Sequence, residues 1–374
     1  MTRARDLITR FKLQDNFYIA NLTVLQNKID QWKELLPRVS PFYAVKCNPD
    51  KEIINMMIKN GLGFDCASKK EIESVIKSGC DPSKIMFMHP FKSPKDIQYA
   101  ISNNVSITTF DSYTEMDKIK QNAPDIRCLI RIKVNNPTAR VQLGLKYGID
   151  ISEYKAFVDY AREINMNLVG ICYHVGSASK DPNVFKNGMD YSKEVLAYAR
   201  EKGFTMSVLD IGGGFTTENF EKCAEVINKE IQDIGEDIQI VAEPGRYFAS
   251  DVFTFYTPIT GYKKKNQGFN YYIKDGLYGS FNCILYDGQE PEYGYLRNPL
   301  SSEEGSKVES DEILENVLWG VTCDSHDHIG NVNLPKLNVG DFIECKNFGA
   351  YTISGAMDFN GLNMSNPQIF YLFE

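Results

Sequence analysis

One lysine stands at the end of an apolar run, in Pro41-Phe42-Tyr43-Ala44-Val45-Lys46, and Asn48-Pro49 then turns the chain. The run reads as a strand buried on both faces. Apolar surroundings disfavour the charged form of a lysine, leaving a nucleophilic amine suited to a Schiff base. A side chain snorkelling from a strand end is the plainer reading. Leu209-Asp210-Ile211 leads into Gly212-Gly213-Gly214, either a tight turn or a backbone cradle for a phosphate. After the next apolar run come Glu243, which could face a ring nitrogen, and Arg246, a fixed cation for an anion. His174 could stack on a flat ring or sit in the core, and Ser177 could donate to phosphate or cap a helix. Cys323-Asp324 sets a thiol beside a carboxylate, a proton donor or a buried Cys beside a cap. Pyridoxal phosphate needs a Schiff-base lysine, an acid for its ring nitrogen and a phosphate site, and Lys46, Glu243 and the Gly212–Gly214/Arg246 group would supply them.

The elements carrying these residues alternate. Apolar runs begin at Phe42, Gly63, Ile85, Ser106, Cys128, Leu168, Val208 and Ile238, with helical patterns between most of them. Eight such units predict an α/β fold, a (β/α)8 TIM-type barrel, with a doubly wound open sheet as the alternative. Lys46, Asp65, His89, Asp111, Arg131, His174, the three glycines and Glu243 fall at or near the ends of successive runs, which a barrel gathers on one face. Asp111, before Ser112, reads as a helix N-cap. From about residue 252 strand-like pieces follow without helices, predicting a mostly β C-terminal domain. The expected boundaries are 25–250 for the barrel and 251–374 for the β domain, with residues 1–24 joined to it. Residues 288–311 read as a long irregular insertion holding Glu290 and Glu292, either solvated charge or a functional element.

The net charge of −8 leaves no basic excess for a nucleic-acid partner. No segment has the length and apolarity of a signal or membrane span, so a cytoplasmic protein without a membrane partner is expected. The cysteines number nine, an odd count without C-x-x-C spacing, so neither a disulfide framework nor a metal site is expected.

Taken in order, Pro41–Asn48, Gly63–Ser68, His174–Ser177, Leu209–Phe215, Glu243–Tyr247, Asp275–Asn282, Cys323–Ser325 and Asn347–Tyr351 resemble the motifs of the ornithine decarboxylase family. These are pyridoxal-phosphate decarboxylases of alanine-racemase-like fold. The resemblance implies that Lys46 carries the cofactor with Asp65 near it, that His174 stacks on its ring and that Glu243 pairs with the ring nitrogen. Arg131 supports the site; Ser177, Gly213, Gly214, Arg246 and Tyr351 hold the phosphate. Cys323 returns a proton after carbon dioxide leaves, and Asp324 binds the distal cation of the substrate. Cys323, Asp324 and Phe359 come from the partner subunit of a homodimer, and Lys146 and Asp327 match a pair bridging its interface.

Some positions depart from the family pattern. Ala178 stands where glycine is usual, and His326 and His328 replace a leucine and an arginine. The specificity element after Leu285-Tyr286-Asp287 reads Gly288-Gln289-Glu290-Pro291-Glu292, unlike the ornithine enzymes, and the sequence ends at Glu374 without their long tail. These features are most similar to the compact viral arginine decarboxylases of the family. The expected reaction is arginine to agmatine and carbon dioxide, in polyamine biosynthesis, with Asp324, Glu292 or Glu290, Tyr286, Asp287 and Phe359 lining the substrate. Ornithine or lysine is the alternative, followed by diaminopimelate decarboxylation and a non-catalytic regulatory homologue.

Overall fold

The computed structural model describes residues 2–301 and 312–373, in two compact units. One comprises residues 26–248 and the other residues 1–25 with 249–374. The expectation for residues 302–311 of the insertion lies outside the described residues.

The first unit is a closed barrel of eight parallel strands. In chain order they are Val39–Ala44, Gly63–Cys66, Ile85–Phe87, Ile107–Phe110, Arg127–Lys133, Leu168–His174, Val208–Asp210 and Gln239–Ala242. Closure comes from the first and last strands, where Val39 registers with Ile240 and Pro41 with Ala242. Phe42, Met86, Ile107, Leu129, Val169, Cys172, Val208 and Val241 pack in one core cluster, as the apolar runs require. Serine caps start the intervening helices: Ser68, Ser93 and Ser112 each accept a backbone N–H three residues on. The cap at Ser112 corrects the reading of Asp111. That carboxylate instead accepts the Gly148 N–H at 2.7 Å, reaching a later loop.

Most of the strands stop short of the apolar runs that announce them. The first ends at Ala44, and Val45–Cys47 forms a single 3-10 turn, so Lys46 sits on that turn and not on the strand. Lys46, His89 and Gly212 thereby fall just past their strands, whereas Asp65, Arg131 and His174 stay on theirs.

The second unit holds a sheet in the order Tyr293–Leu296, Phe342–Cys345, Phe253–Lys264, Phe269–Ile273, Leu314–Trp319, His328–Leu334. Phe17–Asn21 joins it, antiparallel to the Phe253 strand and parallel to Gln368–Leu372. The insertion is thus not wholly irregular, since Tyr293–Leu296 is a strand paired with Phe342–Cys345. Phe17, Tyr256, Leu296 and Phe342 form a core with Ala4 and Ile8 of the N-terminal helix, and Phe17 stacks on Tyr256 at 4.9 Å. Among the described residues no helix is long and apolar enough to cross a membrane.

Candidate active site

The C-terminal ends of the barrel strands bring most of the expected residues together. Lys46 Nζ donates to Asp65 Oδ2 at 2.5 Å. Asp65 is 1% exposed on the second strand, whereas the lysine side chain is 38% exposed. The apolar pocket expected for the amine is therefore corrected to a carboxylate anchor. Glu71, a residue the motifs did not single out, adds a further carboxyl in this region. Its Oε2 accepts the Ala67 N–H at 2.6 Å, and burial raises its pKa.

Across the barrel end, Glu243 follows the last strand and is buried. Burial, then Asp210 and Asp65, push its carboxyl well above the usual range, against the pull of Lys46 and Arg131. Asp210 ends the seventh strand and is pushed up to about 7, first by burial, although its Oδ1 accepts the Gly212 N–H at 2.8 Å. Sequence reasoning gave Asp210 no role, although it stands two residues before the glycine run. His174 ends the sixth strand, with Nδ1 accepting the Gly176 N–H at 2.9 Å. Burial, then Arg131 and Lys46, push its pKa well below the usual value, so the ring is neutral at neutral pH. Arg131 lies over the Tyr147 ring at 5.1 Å.

The glycine run is pinned by close approach. A Cβ on Gly213 would fall 2.8 Å from both His174 Nε2 and the Glu243 carbonyl oxygen. Gly214 has φ +118°, a conformation that side chains rarely adopt. Arg246, just past the eighth strand, donates from Nη2 to Ser177 Oγ at 3.0 Å. This leaves backbone amides, a hydroxyl and a guanidinium on adjoining loops, a donor set suited to phosphate.

The second unit holds the rest. Tyr278 donates to Asp324 Oδ2 at 2.5 Å and stacks on Phe359 at 4.3 Å. Asp324 Oδ1 accepts from the His326 backbone and lies 2.9 Å from its Nδ1. These bonds, the His326 backbone first, push the Asp324 carboxyl down to about 2. Cys323 is the exposed one of the nine cysteines. Tyr351 is half-buried with φ +58°, an uncommon conformation for a non-glycine residue. Asp287 is buried and accepts from Gln289 at 2.7 Å, whereas Tyr286 is exposed. Glu290 and Glu292 are exposed, and neither makes an ion pair or hydrogen bond among the described residues. Glu290, but not Glu292, lines a cavity of about 480 Å³ with Tyr293 and Asn331. Asp327 is buried, and its carboxylate accepts from Leu277 N, Thr322 N and Thr322 Oγ1. These bonds organise its own loop.

Residues 22–250 match the family model described as pyridoxal-dependent decarboxylase, pyridoxal binding domain. The ornithine decarboxylase of Schizosaccharomyces pombe is 38% identical over 96% of this chain and 83% of its own length. The chain belongs to the ornithine decarboxylase family. Its members include the arginine decarboxylase of Paramecium bursaria Chlorella virus, whose crystal structure is similar with a TM-score of 0.92 and 34% identity. That match covers 99% of this chain and 100% of the viral one. The lysine/ornithine decarboxylase of Vibrio vulnificus is similar with a TM-score of 0.88 and 27% identity, covering 100% and 98%. The protein is a pyridoxal-phosphate-dependent decarboxylase of a basic amino acid.

The barrel end fits that cofactor on its own geometry. Glu243 Oε1 is buried and accepts no hydrogen bond among the described residues. A buried carboxyl in that condition is satisfied by a cationic N–H, which a protonated pyridine presents. Gly213 and Gly214 leave room where any side chain would collide.

Proposed function

We propose that the enzyme decarboxylates arginine, with roles as follows. When bound, pyridoxal phosphate supplies an electron sink for the electrons left as carbon dioxide departs. Lys46 holds the cofactor covalently, and Asp65 orients its amine. Glu243 would keep a proton on the ring nitrogen, and Asp210 accepts the Gly212 N–H in the glycine run. His174, kept neutral, offers a flat face for stacking. Ser177, Gly213, Gly214, Arg246 and Tyr351 bind the phosphate, and Arg131 holds positive charge beside His174 and Glu243. Cys323 Sγ returns a proton to the substrate Cα. Asp324 binds the distal cation, with Phe359 and Tyr278 stacked beside it.

The observation that carries arginine over ornithine is the pair Glu290 and Glu292. Both carboxylates stand on the turn after Gly288, which caps the helix Asn282–Asp287 in the left-handed region at φ +61°. Both are unengaged among the described residues, and a guanidinium has two parallel N–H donors to meet a second carboxylate. The overlap with the viral arginine decarboxylase over the full length of both chains supports the same reading. Ornithine stays the second reading, because the S. pombe ornithine decarboxylase has the higher identity.

Carbon dioxide release from arginine, ornithine and lysine in parallel tests this. Arginine is expected to give the highest kcat/KM. Glu290→Ala or Glu292→Ala should lower the arginine-to-ornithine ratio, and preference for ornithine by the parent enzyme would overturn it. We propose further that Cys323 and Asp324 serve the barrel of a partner subunit in a homodimer. Mixed Lys46→Ala and Cys323→Ala chains should then recover about a quarter of parental activity through heterodimers with one intact site. No recovery despite subunit exchange would place the site within one chain.

A further inference from the structure

At the opposite, N-terminal end of the barrel lies a cavity of about 240 Å³, formed wholly by the first unit. Its rim carries three cations, Lys33, Lys84 and Arg127, and no aspartate or glutamate lines it. This stands out in a chain with 49 acidic and 41 basic residues. None of the three is ion-paired among the described residues. Lys33 reaches Asn60 Oδ1 at 3.4 Å, Lys84 reaches the Gly61 carbonyl at 3.5 Å, and the half-buried Arg127 guanidinium makes no hydrogen bond. Ser40, Ser83 and Ser106 line the same cavity. The floor is apolar: Phe42, Met86, Val208 and Val241, side chains of the barrel's core cluster.

Three cations without an ion pair around an apolar floor, with Asp81 near Lys84 but outside the lining, make an amphipathic site whose lining charges are all positive. Charge of that kind at a concave, low-dielectric wall concentrates anions, and the planar fork of Arg127 suits a phosphate or carboxylate. The volume exceeds the roughly 150 Å³ that holds a benzene ring, leaving space for a ring or short chain with a head group. We propose that this mouth is a second ligand site, separate from the decarboxylation site, for a small organic anion with an apolar body. The anionic head meets Arg127, Lys84 and Lys33, and the body lies on Phe42 and Val241.

The test uses the holoenzyme, with its cofactor bound, and 4-bromophenyl phosphate as probe. Calorimetric titration is expected to show saturable binding, and the bromine's anomalous signal in a soaked crystal should lie between Arg127 and Phe42. The double variant Arg127→Gln/Lys84→Gln should weaken binding about tenfold or more while decarboxylation continues, which shows that the barrel is folded. Inorganic phosphate should bind more weakly than the probe, because it leaves the floor uncovered. No binding by the parent, unchanged binding by the double variant, bromine located elsewhere, or phosphate binding as tightly as the probe would each overturn the proposal.

Discussion

Lys46 Nζ lies 2.5 Å from Asp65 Oδ2, and this pair sets where the amine on the turn after the first barrel strand points. Because Lys46 rides on a 3-10 turn and is partly exposed, its aim depends on the anchor. Lys46→Ala should release no carbon dioxide above background. Asp65→Asn keeps a polar partner but drops the charge, and misplacement of the amine should lower kcat by roughly 10²-fold. Rapid-quench measurement of carbon dioxide release checks both. An Asp65→Asn enzyme within twofold of the parent would remove Asp65 from the orienting role.

Glu243 is argued to act on charge that develops as the reaction proceeds. Glu243→Gln preserves shape but cannot balance a ring-nitrogen cation. A loss of roughly 10²- to 10³-fold in kcat is expected, with KM little changed. Steady-state kinetics decide it: a raised KM at parental kcat would make Glu243 a binding group alone.

Asp275 gives a test of pH dependence away from the chemistry. It is fully buried and accepts from Gly276 N and Ser280 N, each at 2.7 Å, yet burial outweighs those bonds and pushes its carboxyl up to about 7. A folded-state pKa above the unfolded value of 3.8 means that the native state holds the proton more tightly. Its contribution is therefore fully present below about pH 4 and lost as pH rises through about 7. Stability of the parent relative to Asp275→Asn should fall across that window, by about 1.4 kcal/mol per pH unit at the steepest, and flatten above it. Urea unfolding at a series of pH values measures this, and a difference independent of pH would refute it.

The barrel and the motif residues were legible because period and punctuation are local. Lys46, the glycine run and Glu243 each close an apolar run that can be counted from the sequence. What was missed depends on distant partners. Phe17–Asn21 is five residues between two helices, and its strand state comes from pairing with Phe253–Tyr256 and Gln368–Leu372. Asp111 read as a cap because Ser112 follows it, yet its partner is Gly148, 37 residues on. Asp210 looked like a strand residue, and it is burial first, then Asp65, that raises its pKa, against the pull of the Gly212 N–H and of Glu243. Tyr278 lay in a motif, but its bond to Asp324 spans 46 residues.

That bond carries the last prediction, which rests on Asp324 as the distal-cation site. Asp324 is pinned at both oxygens, by His326 on Oδ1 and by the Tyr278 hydroxyl on Oδ2. Tyr278→Phe removes one donor while the ring can still stack on Phe359. The carboxylate stays charged at assay pH, because the His326 N–H, the first cause of its lowered pKa, remains. The effect should therefore be one of aim: KM for the basic substrate rises several-fold, roughly what one charge-assisted hydrogen bond contributes, with kcat nearly unchanged. The rise should be the same from pH 6 to pH 9, since Asp324 itself stays ionised across that range. Phe359→Ala in the parent should raise KM in the same direction by loosening the Tyr278 ring. Were KM in Tyr278→Phe to match the parent at high pH and climb only toward acid, Tyr278 would act by holding Asp324 ionised and not by aiming it.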